Sequence, residues 1–519
     1  MNLPAAGMNK RLTLVACILA SIVVFLDGSV VNVALPALRD DLHAGLATQQ
    51  WVVEAYLLTL GALILAGGAY ADSHGRKHAL MLGVGWFAIT SLLCALAATA
   101  EILVAARALQ GVAGALLVPA SLAILTATYD DPEERGAAVG TWTAWTGIAF
   151  IIGPLAGGTI VDAISWRGVF AINVPIAIVV LWLARRYVGE SKDPDAAGSV
   201  DVKAALLSVV WLGGTVFALI EQPDKGWGDP MVFVPLIAAA IALPAFIWRE
   251  AHCSNPMLPL NLFRNRNFSA VNAATFTIYG GLGAFVFFLV LYLQQVGGYS
   301  ALGAGAALIP NTLLMFLLSR RFGALAMRIG PRVPMTAGPL VAGAGLLLLR
   351  GVDTNPSYLT EVLPAVLVFS LGLSATVAPL TATVLSSVEQ RHAGIASGVN
   401  NAVARIAGLV AIAVVGAIVS SSFSSTLDQK LPPAALDQAR SRPLVTEIPA
   451  GVPPGQRVEA KRTLGEASVD AFRDGITVAA VLVAMGGVIS AAFVTNKRSV
   501  RVASSRELVA RPTVTTRSC

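Results

Sequence analysis

The sequence predicts an all-α, polytopic membrane protein. Three observations carry this. Only 13% of the 519 residues are charged, about half of what a soluble chain carries, and the mean hydropathy is +0.72. The apolar residues fall into runs of roughly 20, long enough to cross a ~30 Å hydrocarbon core. Lys and Arg gather in alternate connections between those runs, the signature of a chain that threads a bilayer repeatedly.

Backbone groups in lipid must pair within their own segment, so each long apolar run is expected to be a helix. In order, the runs cover 12–35, 49–69, 79–99, 102–126, 137–160, 168–188, 202–221, 231–249, 268–293, 301–321, 332–350, 358–386, 393–420 and 474–495. The first run follows Lys10 and Arg11 and so imitates a leader peptide. No small-residue cleavage pattern follows it, and it is expected to be a retained first helix. Fourteen spans put both termini on one side. That side holds Lys and Arg over the other by roughly two to one, counting Arg76, Lys77, Arg135, Arg320, Arg321, Arg391 and the tail; it is expected to be cytoplasmic, in the cytoplasmic (inner) membrane. Segment 421–473, rich in Ser, Pro, Gln and Ala, reads as an extended external loop, and 496–519 as a flexible basic tail.

Other classes find little support. Cys17, Cys94, Cys253 and Cys519 are scattered without metal or disulfide spacing, and the five histidines form no ligand pair. The net charge of +6 is a topology signal, not a nucleic-acid surface. Each Lys is followed by Arg, His, Asp, Ala, Gly or Leu, so no G-K-[ST] phosphate loop exists and no ATP is expected. No nucleophile–base pattern supports an enzyme, no cofactor is called for, and the tail is too short for a signalling domain. The sequence names no protein partner, and a monomer suffices.

Charges inside spans stand out against this background. Asp27 lies in the stretch FLDGSVVNVALP, about 15 residues and roughly 22 Å along the first helix. Glu54 and Arg107 each lie about five residues from the same, outer, side of their spans, at similar depth by helix rise. Counting thus predicts a buried cluster of Asp27, Glu54 and Arg107. Intramembrane acids are functional by default. The rival reading makes Asp27 a structural acid bonded to groups such as Asn32, and puts Glu54 in water at the outer rim. Arg405 falls near the midplane, where it either binds an anion or neutralises an acid.

The chain also repeats itself. GAYADSHGRK, 68–77, and GALAMRIGPR, 323–332, match at two Gly and two Ala with the same spacing. Nearly the same displacement carries Arg135 to Arg391 and Leu12 to Phe268. Residues 12–190 and 268–495 therefore read as two copies of a six-helix unit, with 200–250 an inserted helix pair and 1–11 a short N-terminal lead. A substrate site is expected between such halves, which rock about it.

At these residues the chain resembles the major facilitator superfamily, in its fourteen-span drug:proton antiporter-2 branch. LDGSVVNVALP, 26–36, is similar to that branch's first-helix signature, with Ser29 where Thr is usual. GAYADSHGRK resembles the superfamily's loop 2–3 motif, departing at Tyr70 and Ser73. RALQGVAGA, 107–115, resembles the fourth-helix motif and GIAFIIGPLAGG, 147–158, the fifth-helix antiporter motif. QWVVEAYLLT, SWRGVFAINVP and the Asn-x-x-x-Arg-x-x-Gly spacing at 401–408 add to the likeness.

The resemblance implies a proton-coupled exporter of lipophilic drugs, antibiotics or related small molecules. Its partners would be substrate, protons and the bilayer. A transporter of a specific metabolite is the alternative. Burial raises the pKa of an acid and a nearby guanidinium lowers it, so Asp27, with Glu54, is expected to couple protons to transport; the resemblance adds Arg107 to proton movement and does not require an acid at position 54. Gly68, Asp72, Gly75, Arg76, Lys77 and Arg135 would form a conformational switch, Asp72 capping a helix or pairing with an arginine across the bundle. Gly147, Gly153, Pro154, Gly157 and Gly158 would form the antiporter motif, where proline bends the span and glycines admit a neighbour. Asn32, Trp142, Trp145, Asn401 and Arg405 are the candidate cavity residues. For the two tryptophans an interfacial belt is the plainer expectation.

Overall fold

The computed structural model describes residues 9–193, 201–253, 256, 258–388, 393–428, 443–445, 448, 452 and 456–496. Arg391, the tail from Lys497 and most of segment 429–455 lie outside the described residues. Fourteen membrane-length helices are present: α1 Lys10–Leu42, α2 Leu46–His74, α3 Arg76–Ala95, α4 Ala100–Thr128, α5 Glu133–Ala163, α6 Gly168–Tyr187, α7 Val202–Lys225, α8 Pro230–His252, α9 Arg266–Gln295, α10 Ala301–Ile329, α11 Arg332–Gly351, α12 Tyr358–Ser386, α13 Ala396–Leu427 and α14 Arg457–Phe493.

Local chemistry marks where helices begin. Asn9 accepts the N–H groups of Arg11 and Leu12, at 3.1 and 3.3 Å. Asp131 accepts those of Glu133 and Glu134 before α5, and Asn265 those of Asn267 and Phe268 before α9. Each satisfies backbone donors that have no partner inside the helix. The ends run beyond the hydropathy estimates because a helix continues after its lipid-facing stretch stops. α1 passes through Pro36 to Leu42. The segment expected as a loop over 421–473 is helical at both ends: α13 runs to Leu427 and α14 starts at Arg457. With 37 residues, α14 is about 55 Å long, so its polar first turns stand clear of the core.

The repeat is visible in the packing. In the first half α2 packs on α4, α3 on α4 and α6, and α1 on α5 and α6. In the second half α10 packs on α12, α11 on α12 and α14, and α9 on α13 and α14. Every pairing maps onto its counterpart. The halves meet at two equivalent seams, α2 with α13 and α5 with α10. The inserted helices α7 and α8 pack on each other, and α7 lies against both α2 and α13, so the pair braces one seam only. Leu212, Val216 and Ile220 of α7 share an apolar cluster there with Ala62, Leu409 and Ala413.

The matched loops fold alike as well. Gly75 and Gly330 hold φ of +121° and +88°, a region where a side chain would strain the turn. In both, the segment after the half's last helix closes the turn. Glu190 accepts the N–H groups of Lys77 and His78, at 3.0 and 3.1 Å. Asn496 accepts that of Arg332 at 3.1 Å.

The seams close on the face away from the chain ends. Asp162, near the far end of α5, accepts the N–H groups of Ala301 and Leu302 at the start of α10. A methyl group on Gly158 would lie 2.5 Å from Leu302 Cα, and one on Gly305 2.6 Å from the Pro154 carbonyl oxygen. At the other seam Gln50 donates to the Ile412 carbonyl at 3.0 Å, and Gln49 accepts from Gln295 at 3.1 Å. Toward the face of the chain ends, Trp145 and Asn401 are exposed. The described hydrogen bonds between the halves thus gather on the far face. Gly158→Val should force the far-face seam apart. With spin labels at Ile164 and Leu359, the distance distribution should move outward; an unchanged distribution would show that the seam is not held there.

Candidate functional site

Asp27 sits on α1 with no solvent exposure, and Arg107 on α4 is equally sealed. They form an ion pair through Asp27 Oδ2 and the Arg107 guanidinium. Neutral groups complete it. Asp27 Oδ1 accepts from Gln110 Nε2 at 3.0 Å and from Asn173 Nδ2 at 2.9 Å. Gln110 Nε2 also donates to Ser91 Oγ at 2.7 Å. Arg107 Nε donates to the Val52 carbonyl oxygen at 2.9 Å and its Nη1 to Gln110 Oε1 at 2.6 Å. The guanidinium lies over the Tyr56 ring at 4.3 Å and near that of Phe170 at 5.6 Å. One site thereby draws on α1, α2, α3, α4 and α6.

This arrangement follows from the medium. A lone charge in an apolar interior is very costly, and a pair is tolerable only when its remaining lone pairs and protons are also satisfied. Here the carboxylate accepts three bonds, the guanidinium edge donates, and its flat faces rest on rings.

The expected cluster is therefore present for Asp27 and Arg107 and absent for Glu54. Glu54 is fully buried, which rules out the watery rim. Neither of its carboxyl oxygens has a hydrogen-bond partner among the described residues. The reason is helix rotation. Gln50, one turn before it, reaches Ile412, and Gly61, two turns after it, abuts Arg405. Helical spacing puts Glu54 on that same face of α2, turned toward α13. Asn32 does not hold Asp27 either: its side-chain oxygen is buried without a partner.

The other candidates separate clearly. Asp72 pairs with Arg76 at 2.7 Å, four residues on, rather than across the bundle, because the turn at Gly75 brings the two together. Lys77 Nζ donates to the Arg185 carbonyl oxygen. Arg135 donates to the carbonyl oxygens of Tyr129 and Asp130. Gly153 and Gly157 face α1, where methyl groups would lie 2.0 Å from Ser29 Oγ and 2.3 Å from Val30 Cγ2. Gly158 and Pro154 face α10. Gly147 has open space around it and contributes no close approach, so tight packing starts six residues later than the motif. Trp142 donates to Ser21 Oγ at 2.9 Å. It is half-buried on α1, not in an interfacial belt, because its indole N–H finds an acceptor there. Trp145 is exposed, as is Asn401, whose amide donates to the Ser397 carbonyl oxygen. Arg405 is half-buried, 5.3 Å from the Phe25 ring. Gly68 lies against Pro119.

Sequence reasoning missed Gln110, Asn173, Ser91, Glu190 and Asp162. Gln110 stands one turn after Arg107 and Asn173 inside SWRGVFAINVP, so polar residues within apolar motifs were the available signal.

Two matched six-helix halves, bonded together on one face and built around a sealed charge pair, define the class: a polytopic transporter in which two lobes can tip about a central site. A sequence profile described as Major Facilitator Superfamily matches residues 17–412, and the chain belongs to that superfamily, in its fourteen-span drug:proton antiporter branch. It is similar to the multidrug resistance protein Stp of Mycobacterium tuberculosis, 33% identical over 483 residues, 91% of this chain and 89% of that one. It is also similar to the tetracenomycin C resistance and export protein of Streptomyces glaucescens, 31% identical over 504 residues, covering 94% and 92%. Among solved structures, a bacterial homolog of the human lysosomal transporter Spinster, in an inward-facing and unoccupied conformation, shares the fold. Its TM-score is 0.67 at 17% identity, over 94% of this chain and 98% of that one.

Removing one partner from a sealed ion pair strands the other. Arg107→Met should cost about 3–5 kcal/mol, read as a lowered thermal unfolding temperature in detergent. Pairing it with Asp27→Asn should restore most of the loss. Additive losses in the double variant would show that the two do not act as a unit.

Proposed function

We propose that this protein is a proton-driven exporter of lipophilic small molecules, with Asp27 as its coupling acid. Its relatives carry names of multidrug resistance and of tetracenomycin C resistance and export, which supports export as the direction. The Lys and Arg bias makes the terminal face cytoplasmic, so the hydrogen bonds between the halves lie on the outer side.

The observation that carries the reading is the Asp27 network. It is an ionisable oxygen pair inside the bundle, facing neither acyl chains nor water in this state. When a proton reaches Asp27, the charge holding Arg107 is lost and the tie between α1 and α4 weakens. Two residues further along α1, Ser29 abuts Gly153 of α5, and the next turns of α5 meet α10 at the far-face seam. A change in the tilt of α1 thus reaches the contact that keeps the outside shut. Glu54, buried and without a hydrogen-bond partner among the described residues, is the second proton site on this reading. Each proton descending one pH unit supplies about 1.4 kcal/mol, enough for roughly tenfold accumulation of a neutral solute. Asp72, Arg76 and Lys77 act with Glu190 as a clasp that stiffens the first half. Asn32, Trp145, Asn401 and Arg405 border the opening through which substrate enters. Trp142, by its bond to Ser21, supports α1 behind that opening.

The test uses inside-out vesicles with an imposed pH gradient and a neutral lipophilic dye such as Nile red. Asp27→Asn should lose gradient-driven uptake by about tenfold or more while still exchanging dye across the membrane at equal pH, since only the proton's drive is removed. Glu54→Gln should lower the number of protons moved per dye. Gradient-driven uptake by Asp27→Asn at the wild-type rate would remove Asp27 from the mechanism.

A further inference from the structure

Asp27, Glu54, Arg107 and Arg405 are charges placed well inside their helices. The first three have no exposure at all. Arg405 alone of the four is partly exposed, and its surroundings say where. Its Cβ lies 3.9 Å from where a side chain on Gly61 of α2 would begin. Its guanidinium lies 5.3 Å from the Phe25 ring of α1. Both neighbours belong to the opposite half, so Arg405 lies where the two halves face each other. Among the described residues it has neither an acid nor a hydrogen-bond acceptor as a partner. Arginine brings five donors and a charge it cannot shed.

We infer that Arg405 is the anchor for the transported molecule, and that the preferred substrates are lipophilic organic anions: ring systems bearing a carboxylate or an equally acidic oxygen. This rests on the transport reading above and adds the charge of the cargo to it. The neighbourhood fits such a molecule. Gly61 leaves the α2 side of Arg405 without a side chain. Asn401, one turn toward the terminal face and exposed, offers its amide to an entering oxygen. A cation would meet the opposite. The carboxylate of Asp27 is saturated by Arg107, Gln110 and Asn173 and lies behind α1, leaving a cation facing an uncompensated guanidinium.

The test measures binding to the full-length protein in lipid nanodiscs, with empty discs subtracted. Three probes share one ring: 1-naphthoate, the neutral 1-naphthamide and the cationic 1-naphthylmethylammonium. Wild type should bind the carboxylate about ten- to a hundredfold tighter than the amide, the range a charge-assisted hydrogen bond supplies, and the ammonium weakest. Arg405→Gln should erase the preference while amide binding persists. Arg405→Lys keeps the charge without the planar fork, and should retain part of the preference even if the glutamine variant fails to fold. Equal affinity for all three, tighter binding of the ammonium, or no saturable carboxylate binding would overturn the inference. So would Arg405→Gln weakening all three alike, which is the outcome if Arg405 serves only to neutralise an acid. Failure of the exporter reading looks different: the carboxylate binds selectively, yet no probe moves with a pH gradient in vesicles.

Discussion

An ion pair placed where no water can reach it must find every one of its hydrogen-bond partners in protein, and that requirement organises the first half of this molecule. Asp27 and Arg107 recruit Gln110, Asn173, Ser91 and the Val52 carbonyl. Together with Asp27 these groups come from five helices, so no one of the five can shift alone without stranding a charge. The Tyr56 hydroxyl, bonded to the Val24 carbonyl at 2.9 Å, ties the ring beneath the guanidinium into the same assembly. The second half repeats the pairings of the first but not this chemistry. Its polar contact between α9 and α13, the counterparts of α1 and α5, is neutral: Asn400 donates to Asn272 and Thr275, at 3.1 and 2.8 Å. One half is locked by charge and the other by amides and hydroxyls.

The turns at the two faces use a common device for different ends. A helix start offers unpaired N–H groups, and a side chain from elsewhere accepts them. On the terminal face the acceptors are Glu190 and Asn496, each from the same half as the helix it caps. These clasps stiffen the lobes individually. On the far face the acceptor is Asp162, and it belongs to the other half from the helix it caps. On the proposed rocking motion, the far-face cap is the bond that has to break, while the loop 2–3 clasp travels as part of a rigid lobe. The brace of α7 and α8 against α2 and α13 makes the two seams unequal, so that motion concentrates at the α5–α10 seam.

Much of this was legible in the residues because the bilayer enforces it. Runs of about 20 apolar residues can do little in lipid but form helices, and all fourteen are present. The matching glycines at 68–77 and 323–332 marked the repeat because each loop needs a left-handed turn at the same place. Counting along helices also brought Asp27 to the depth of Arg107. It failed for Glu54, since a count gives depth but not the direction a side chain points, and the face of α2 that carries Glu54 turns to α13. Gln110 and Asn173 were illegible for the same reason: a neutral polar residue in a span declares no partner until the helices are set in register. The early turns of α14 escaped because they are polar and extend past the hydrocarbon, where hydropathy has nothing to detect.

The difference between depth and direction has a consequence for coupling. Between residues 20 and 36 of α1 the half-buried residues are Ile22, Phe25, Gly28 and Asn32, while Val24, Asp27, Val30 and Val31 are among the buried ones. Steps of three and four residues keep the first set on one face. Phe25 and Asp27 are two residues apart, about 200° around the helix, which places them on opposite sides. α1 is therefore a partition, with the Arg405 guanidinium on one side and the sealed ionic network on the other. No direct contact between a molecule held at Arg405 and the carboxylate of Asp27 is needed for each to sense the other. A body that wedges between Phe25 and Arg405 pushes on the helix whose far side holds the ion pair. Neutralising the ion pair frees the same helix to tilt. On the proposed function the exchange of proton for substrate is carried by the rotation and tilt of α1, and the small side chains of Gly153 and Gly157, pressed against Ser29 and Val30, pass that movement to the seam that opens outward.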